Sequence, residues 1–258
     1  MIPKILHLCW LSGDAYPPLI AKCINSWKEK CPSYTIKIWS SETFDLHSSI
    51  WVREAFDQKK YAFAADYIRF WVLYHEGGIY LDSDVEVIKS FDDLLHLNSF
   101  MGFAIDGNYE PAIIGSIPGQ EWIFSCLQYY NNRHFIKDDH TLDELTLPLI
   151  INPILQKTYG LEPKNIRHQI SYCSAANISL YPCEYFSPDV LKMRITPHSY
   201  TVHHTTGHWR PFSYKIKKQI FSYIVNNKIL FFVYTNTYQL IKKWLFQKIW
   251  KRDYIPYQ

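Results

Sequence analysis

Residues 61–86, YAFAADYIRFWVLYHEGGIYLDSDVE, join an apolar helix-like segment to a short strand that ends in two carboxylates. The first sixteen residues are apolar nearly all round, which predicts a helix buried in the body of the protein. Gly77 and Gly78 then stop this helix, because glycine readily adopts the backbone conformations that end helices. The strand follows at once, and it leads directly into Asp82 and Asp84.

Asp82 and Asp84 are separated by one small residue, Ser83. In an extended segment alternate side chains share a face, so both carboxylates are expected to point the same way. Two like charges held this close raise each other's pKa, and a bound divalent cation removes that penalty. Mg²⁺ and Mn²⁺ are commonly held by one or two carboxylates together with substrate phosphates. The motif predicts a cation and nucleotide-diphosphate site, with a chance Asp-x-Asp in a loop as the alternative.

Length and cysteine usage favour one intracellular domain with a short appendage. The chain has 258 residues and six scattered cysteines without a CxxC pair, so a disulfide framework or a zinc ribbon is not indicated. The first residues show no basic and apolar leader, and no apolar run reaches the roughly 18 residues needed to span a bilayer. We therefore expect a cytoplasmic protein.

The positive charge is concentrated near the C-terminus. Residues 214–252 hold nine Lys and Arg and no acid, so a chain of net charge +3 leaves −6 elsewhere. Lysines interleaved with apolar and aromatic residues are typical of helices that lie on an anionic membrane. Packing of these helices on the domain is the alternative, and no recognised motif indicates nucleic acid. We predict a domain at residues 1–212 and a basic amphipathic helical tail at residues 213–258.

The pattern of elements predicts an α/β fold. Residues 2–10 and 34–39 are strand-like, and residues 19–31 between them are helix-like, which gives a βαβ opening. Four glycines between short apolar runs predict strands and loops over residues 100–120, and residues 121–134 are predicted as a helix.

Asp66 and Arg69 interrupt the apolar helix. They are three residues apart and therefore share one face. One interpretation is an internal salt bridge, since buried charges are normally paired. The other is that the pair faces a cavity and binds sugar hydroxyls, which offer donors to Asp and acceptors to Arg.

Residues 203–210, HHTTGHWR, form a third polar cluster. His204 and His208 are four apart, which suggests a zinc site, although Thr-Thr-Gly disfavours a helix between them. The favoured interpretation is a mobile loop whose histidine completes a divalent-metal site and whose Trp209 closes over phosphates. A loop of partly buried aromatic residues is the remaining alternative.

Five sequence blocks recur together in one known family. They are residues 2–10 (IPKILHLCW), Ser26-Trp27 before Cys31-Pro32, residues 65–69 (ADYIR), residues 77–84 (GGIYLDSD), and His203-His204 followed by Trp209. In order and spacing they resemble the family 32 glycosyltransferases, which carry a DXD-containing sugar-binding region. That family includes yeast mannosyltransferases and bacterial capsule and lipopolysaccharide enzymes. The resemblance covers residues 1 to about 210.

The resemblance implies an α/β, GT-A type, Rossmann-like nucleotide-sugar-binding domain and a retaining transfer. It also implies a divalent metal, Mn²⁺ first and Mg²⁺ as the alternative. Similarity to the family and to the clostridial toxin glucosyltransferases implies roles for the donor-binding residues: Trp10 stacks on the nucleobase, Asp66 and Arg69 hold the donor sugar, Tyr80 lines the pocket, and Asp82 contacts ribose and sugar. It also implies the metal residues, which are Asp84 and Asp82 with His204, or else His203, as the further ligand. Trp209 is implied to bond a phosphate oxygen. Related loops often carry Ser where this chain has His208.

The implied function is transfer of a sugar from a UDP-sugar, or from GDP-mannose, to a glycan or lipid-linked saccharide. The expected setting is capsule, lipopolysaccharide or exopolysaccharide synthesis at the inner face of the membrane. A non-catalytic membrane or glycan-binding protein is one alternative. A glycoside hydrolase is another, but it needs two carboxylates flanking the sugar, whereas Asp82 and Asp84 lie on one short loop.

Overall fold

The computed structural model describes residues 1–104, 106–162, 169–188 and 195–206. The predicted domain boundary at residue 212 and the predicted tail at residues 213–258 lie outside the described residues, and so do His208, Trp209 and Arg210. Within the described part of the chain, none of the helices combines the length and the hydropathy required to cross a bilayer.

The described residues contain strands and helices that alternate along the first half of the chain. The strands are β1 Ile5–Cys9, β2 Thr35–Trp39, β3 Gly78–Leu81, β4 Val85–Val87, β5 Ser99–Phe103, β6 Tyr109–Ser116, β7 Ser171–Cys173, β8 Ile178–Tyr181 and β9 Thr201–His203. The helices are α1 Pro18–Lys30, α2 Ile50–Asp57, α3 Tyr61–Glu76, α4 Glu121–Gln128, α5 Leu147–Tyr159 and α6 Cys183–Phe186.

The main sheet is mixed. Among the described residues it has seven strands in the order β2-β1-β3-β6-β5-β8-β7. β1 pairs in parallel with both β2 and β3, which makes the predicted βαβ opening. β6 runs antiparallel between β3 and β5, and β4 forms a separate pair with β9. The predicted α/β class is confirmed, with one antiparallel strand next to the strand that carries the Asp-x-Asp motif.

Alternate residues of the central strands bury two separate apolar cores, one on each face of the sheet. Tyr80 and Ile114 pack with α3, whereas Ile79 and Ile113 pack with α1. Because strand side chains alternate between faces, near-continuous apolar runs are what a sheet covered on both sides requires. The helix predicted over residues 61–76 is confirmed to the residue, and it lies against the β1–β3 part of the sheet.

Two element predictions need correction, and one helix was missed. The strand predicted at residues 2–10 is only five residues long, and the helix predicted at residues 121–134 ends at Gln128. The chain turns after α4, and Asn132 adopts a left-handed φ of 53°, which asparagine tolerates better than most residues. Helix α2 was not predicted. Trp51 and Val52 are buried on one side of this helix. The helix has only eight residues, which is too few to show a clear helical period in the sequence.

The turn between α3 and β3 is held by glycine geometry and a buried histidine. Gly77 and Gly78 have φ of 67° and 103°, and a Cβ on Gly78 would lie 2.8 Å from Ile5 O. His7 Nε2 lies 2.7 Å from Gly77 O, while Trp39 Nε1 donates to His7 Nδ1 at 3.1 Å. Nε2 therefore carries the ring hydrogen, and the neutral imidazole joins β1 and β2 to the start of β3. Burial lowers the pKa of His7, which favours this neutral form.

Glu54 ties helix α2 to the loop after α4. Its Oε2 accepts from Phe135 N at 2.9 Å and from Ile136 N at 3.0 Å, and its Oε1 lies 2.7 Å from His134 Nδ1. Burial opposes ionisation, but these backbone and side-chain donors hold the pKa of Glu54 below its usual value.

Glu54→Ala should lower the free energy of unfolding by about 2–3 kcal/mol, because two backbone N–H groups lose a charged acceptor. Urea unfolding measures this, with exposed Glu42→Ala as the control, expected within about 0.5 kcal/mol of wild type. A lowered carboxyl pKa means that the stabilisation is present above the usual value of about 4.3 and is lost as pH falls through the folded-state pKa. The difference in the free energy of unfolding between wild type and Glu54→Ala should therefore become smaller in acid. Equal unfolding of the two variants would contradict the anchoring role.

Candidate functional site

The Asp-x-Asp motif lies in a turn at the carboxyl end of β3. Val85 N donates to Asp82 O at 3.0 Å, which closes the turn, and Asp82 N donates to Ala112 O on β6 at 2.8 Å. The prediction that Asp82 and Asp84 share a face of an extended segment is wrong, because the chain reverses between β3 and β4. The turn sends the two carboxylates to different neighbours, Arg69 and His203.

Arg69 joins three parts of the chain at one end of the motif. Its Nη2 lies 2.8 Å from Asp66 Oδ1 and 3.2 Å from Asp82 Oδ1, and its Nη1 donates to Pro111 O at 2.6 Å. The side chain of Arg69 is 6% exposed, whereas that of Asp82 is 30% exposed. The salt bridge between Asp66 and Arg69, which was one of the two interpretations of this pair, is present, and it continues into Asp82, which is the member that reaches the surface.

Burial and charge act in opposite directions on these carboxylates. Burial raises the pKa of Asp66 to about 7, against the opposing effect of Arg69. Burial also raises the pKa of Asp82, and the nearby charge of Asp84 adds to this while Arg69 again opposes it. The guanidinium is therefore what allows the buried carboxylate of Asp66 and the partly exposed carboxylate of Asp82 to be held in one small region.

The ring of Tyr80 packs against the guanidinium of Arg69. The guanidinium carbon of Arg69 lies 4.6 Å from the centroid of the Tyr80 ring, a cation–π contact, and Tyr80 is almost fully buried. In this arrangement Tyr80 fixes the guanidinium in place, and its predicted role in lining the donor pocket stays a prediction.

Asp84 lies at the other end of the motif, against the last described segment. β9 pairs antiparallel with β4, and His203 stands opposite Val85. Asp84 Oδ1 is 3.2 Å from His203 Nε2, while Asp84 Oδ2 accepts from Thr206 N at 2.7 Å and from Thr206 Oγ1 at 2.8 Å. A segment about 120 residues away in sequence is therefore folded around this one carboxylate.

The Asp84 carboxylate is stabilised in its ionised form. Burial by itself would raise the pKa of Asp84, but the contact and charge of His203 and the bonds from Thr206 hold it well below the usual range. Burial would likewise lower the pKa of His203, yet the carboxylates of Glu110 and Asp84 raise it well above the usual value.

Glu110 is a site residue that the sequence reasoning missed. It lies on the part of β6 that extends past the end of β3, is 8% exposed, and its Oε2 is 3.4 Å from His203 Nδ1. The available signal was one charged residue in the eight-residue strand YEPAIIGS, whose residues are all buried. A lone carboxylate in such a strand is unusual, because a buried charge is costly unless it is paired.

The structure separates the two candidate histidine ligands. His203 faces Asp84, whereas His204 Nε2 lies 2.9 Å from Glu86 Oε2, which also pairs with Lys22. His204 contributes its backbone N–H, which donates to Asp84 O at 3.1 Å. His203 is therefore the histidine whose ring reaches the Asp84 carboxylate, and the assignment of a metal ligand stays a prediction.

The Ser26-Trp27 block positions the strand that follows the motif. Trp27 Nε1 donates to Val85 O at 2.7 Å, and Ser26 Oγ accepts from Val87 N at 2.9 Å. These bonds hold β4 against α1, and β4 in turn pairs with the strand that carries His203. The Ser26-Trp27 block, which the sequence analysis singled out only through the family resemblance, therefore has a structural role in holding β4.

Trp10 follows β1 in the loop at the same edge of the sheet. Its ring is partly buried and meets Tyr16 edge-on at 5.0 Å, and its Nε1 donates to Asp14 O at 2.7 Å. The indole N–H is thus engaged within its own loop. Stacking of Trp10 on a nucleobase stays a prediction, and Trp209 lies outside the described residues.

The residues present fit a divalent cation that shares its ligands with a substrate. Among the described residues no group of three His, Cys, Asp or Glu side chains is gathered as a complete metal cage. Asp84 Oδ1 and His203 Nε2 are 3.2 Å apart, close to the roughly 3 Å between neighbouring ligands of an octahedral ion with bonds of about 2.1 Å. Substrate phosphates and water commonly supply the remaining ligands of such ions.

A model of a known protein family matches the part of the chain that contains the Asp-x-Asp motif. Residues 17–101 match the model of the "Glycosyltransferase sugar-binding region containing DXD motif". The chain is also similar to proteins of two yeasts. It is 28% identical over 146 residues to mannosyl phosphorylinositol ceramide synthase of Saccharomyces cerevisiae, covering 53% of this chain and 38% of that protein. It is 29% identical over 142 residues to inositol phosphoceramide mannosyltransferase 3 of Schizosaccharomyces pombe, covering 52% and 40%.

A viral protein and a solved structure extend the comparison. An uncharacterized glycosyltransferase of Acanthamoeba polyphaga mimivirus is 30% identical over 128 residues, covering 46% of this chain and 51% of that protein. The solved PaToxG glycosyltransferase superposes with a TM-score of 0.48 at 18% identity, covering 63% of this chain and 71% of that one. The chain spans about two fifths of the length of the two yeast relatives. The resemblance stated from the sequence is confirmed.

Proposed function

From the premise that this chain carries the DXD-containing sugar-binding region of a glycosyltransferase over residues 17–101, we propose that it transfers a sugar from a nucleotide-diphosphate donor. The transfer depends on a divalent metal, for which Mn²⁺ is the first choice and Mg²⁺ the second. The acceptor is a glycan or a lipid-linked saccharide.

The proposal is supported by the different partners of the two carboxylates that follow β3. Asp82 is held by Arg69, which Asp66 also contacts, whereas Asp84 faces His203 about one short turn further along the chain. A partly exposed carboxylate with a buried guanidinium behind it suits the hydroxyls of a ribose or a sugar. A buried, ionised carboxylate beside a histidine suits a cation. A nucleotide-sugar offers both kinds of group.

The chemistry follows from the charges that develop when the sugar leaves its diphosphate. Positive charge grows at the anomeric carbon, as in other glycosyl transfers. The chemistry that a bound divalent cation supplies is Lewis-acid stabilisation of the charge on the departing diphosphate. Asp84 and His203 would hold that ion, and Asp82, Arg69 and Asp66 would orient the donor so that the acceptor attacks the anomeric carbon.

Retention of the anomeric configuration is part of the proposal. A double displacement needs a carboxylate free to attack the sugar, but Asp66 and Asp82 are paired with Arg69, and Asp84 is engaged by His203 and Thr206. These contacts support attack from the same face as the leaving group, with a phosphate oxygen taking the proton of the acceptor. The same contacts count against a glycoside hydrolase, because Asp66 and Asp82 share one guanidinium nitrogen rather than flanking a substrate.

The donor is decided by a binding experiment. The relatives in two yeasts are named for mannosyl transfer, which supports GDP-mannose. The resemblance to bacterial enzymes that was stated from the sequence implies a UDP-sugar instead. Calorimetric titration with UDP-glucose, UDP-galactose, UDP-N-acetylgalactosamine and GDP-mannose, each with Mn²⁺, should yield one donor that binds and whose binding is lost in Asp82→Ala. NMR of the transferred sugar should then show the donor's own anomeric configuration. An inverted product would remove the retaining mechanism, and no binding by any donor would contradict the proposal.

We also propose that the enzyme meets its acceptor at a membrane surface. Residues 214–252, which lie outside the described residues, carry nine positive charges among apolar residues, and a lipid-linked acceptor would be met at such a surface. We place the enzyme at the cytoplasmic face of a membrane, in synthesis of a surface polysaccharide or glycolipid. Flotation with anionic liposomes tests this against a chain ending at residue 212. Equal flotation of the two would contradict the role of this segment.

A further inference from the structure

Glu110, His203 and Asp84 form a line of three side chains, and we propose that Glu110 is a positioning residue that holds the His203 ring for a divalent metal. The proposal rests on the proposed function and names a residue that neither the motif nor the family model includes, since Glu110 lies beyond residues 17–101. The metal would be held by His203 Nε2 and Asp84, and Glu110 would act through the opposite ring nitrogen.

The two ring nitrogens of His203 face different carboxylates. Nε2 lies 3.2 Å from Asp84 Oδ1, and Nδ1 lies 3.4 Å from Glu110 Oε2. A metal-bound imidazole nitrogen has no hydrogen, so the other nitrogen keeps one and needs an acceptor. His203 Nδ1 is buried and makes no well-aligned hydrogen bond to any described residue. Glu110 Oε2 is a carboxylate within reach, and a small rotation of the ring would complete the bond.

Glu110 is itself fixed on its remaining sides. Its Oε1 accepts from Ala112 N at 3.2 Å, and its Oε2 accepts from Ser187 Oγ at 3.1 Å. These bonds leave the carboxylate little freedom to turn away from His203. A carboxylate that is buried, anchored and aimed at a histidine nitrogen is the arrangement that orients metal-binding histidines and strengthens them as ligands.

The topology explains why this residue comes from β6. Because β6 runs antiparallel to β3 and Leu81 pairs with Ile113, the first residues of β6 extend past the end of β3, on the side where the Asp-x-Asp turn begins. β9 brings His203 to the same place through its pairing with β4. Glu86 provides a matched comparison, since it is also a glutamate beside a histidine, but its partner is His204, which does not face Asp84 through its ring.

The test is the affinity for Mn²⁺, read from the electron paramagnetic resonance of the free ion during titration of the full chain, alone and with UDP or GDP. Glu110→Gln keeps the volume but removes the charge, and it should weaken Mn²⁺ binding by roughly 10- to 100-fold. Glu86→Gln should stay within about twofold of wild type. Thermal unfolding of each variant without metal shows whether the fold is retained. This readout depends on the metal site and not on turnover.

The outcomes separate the positioning role from the proposed function. If wild type binds Mn²⁺, Asp84→Asn abolishes binding and Glu110→Gln binds like wild type, the positioning role is overturned while the metal site stands. If wild type binds no Mn²⁺ with either nucleotide, both fail. Weakening by Glu86→Gln and not by Glu110→Gln would assign the ligand to His204. Should Glu110→Gln not fold, Ser187→Ala removes one bond to Glu110 and should weaken binding by roughly 2- to 10-fold.

Discussion

Asp84→Asn is expected to lower kcat/KM for sugar transfer by about 10³-fold while leaving the fold intact. The reason is that Asp84 is the ionised carboxylate next to His203, and metal stabilisation of a leaving group supplies several kcal/mol, of which about 4 kcal/mol corresponds to this factor. Asparagine has nearly the same volume and keeps an oxygen that accepts from Thr206. Steady-state kinetics with the donor found by titration measures the effect.

The control for this change is Asp57→Asn, which alters an exposed carboxylate at the end of α2 and should leave kcat/KM unchanged. Excess Mn²⁺ should restore little activity to Asp84→Asn, because a neutral amide is a poor ligand for a hard cation. Activity of Asp84→Asn within tenfold of wild type, with the metal requirement preserved, would remove Asp84 from the metal site.

Arg69→Met is expected to destabilise the protein by about 3–5 kcal/mol and to abolish measurable donor binding. The guanidinium is nearly fully buried and contacts Asp66, Asp82 and Pro111 O, so its loss leaves buried carboxylates without a counter-charge. Methionine keeps the length and the apolar contact with Tyr80. Urea unfolding gives the stability, and titration with the donor gives the binding.

The pH dependence of this deficit follows from Asp66. Burial raises the pKa of Asp66 to about 7, and removal of the opposing guanidinium raises it further. A carboxyl group whose pKa is higher in the folded state destabilises the fold increasingly as pH rises above its unfolded value. The stability gap between Arg69→Met and wild type should therefore be largest in alkali and shrink in acid. Exposed Arg53→Met is the control, and a gap that widened in acid would contradict the arrangement.

Local patterns carried most of the fold prediction. The helix Tyr61–Glu76 and its end at Gly77 follow from an uninterrupted apolar run and two glycines, both of which are local signals. The opening with β1, α1 and β2 was predictable for the same reason. Helix α2 was not, because eight residues hold barely two turns, and its place is decided by packing against α3.

The site was predictable only where its residues are neighbours in the chain. Asp66, Arg69, Asp82 and Asp84 lie within 19 residues, and all four are at the candidate site. The choice between His203 and His204 depends on the register of β9 against β4, a long-range pairing that no local pattern encodes. Glu110 joins the site through the antiparallel placement of β6, which the sequence does not specify.

The geometry of the Asp-x-Asp motif itself was also beyond local reasoning. Alternation along a strand predicted that Asp82 and Asp84 share a face, but the bond from Val85 N to Asp82 O turns the chain at that point. The turn depends on β4 being drawn toward α1 by Trp27 and toward β9. Contacts from distant parts of the chain therefore decide where the carboxylates of Asp82 and Asp84 point.

The central claim is that this site splits a nucleotide-sugar with the help of a divalent metal. The most direct measurement is release of free UDP or GDP from a donor panel by the purified full chain, with Mn²⁺, with Mg²⁺ and with EDTA. We expect one donor to be consumed with Mn²⁺, with release stopped by EDTA and by Asp84→Asn. Release that continued unchanged in EDTA, or no release from any donor by a folded protein that binds acceptor glycans, would contradict the claim.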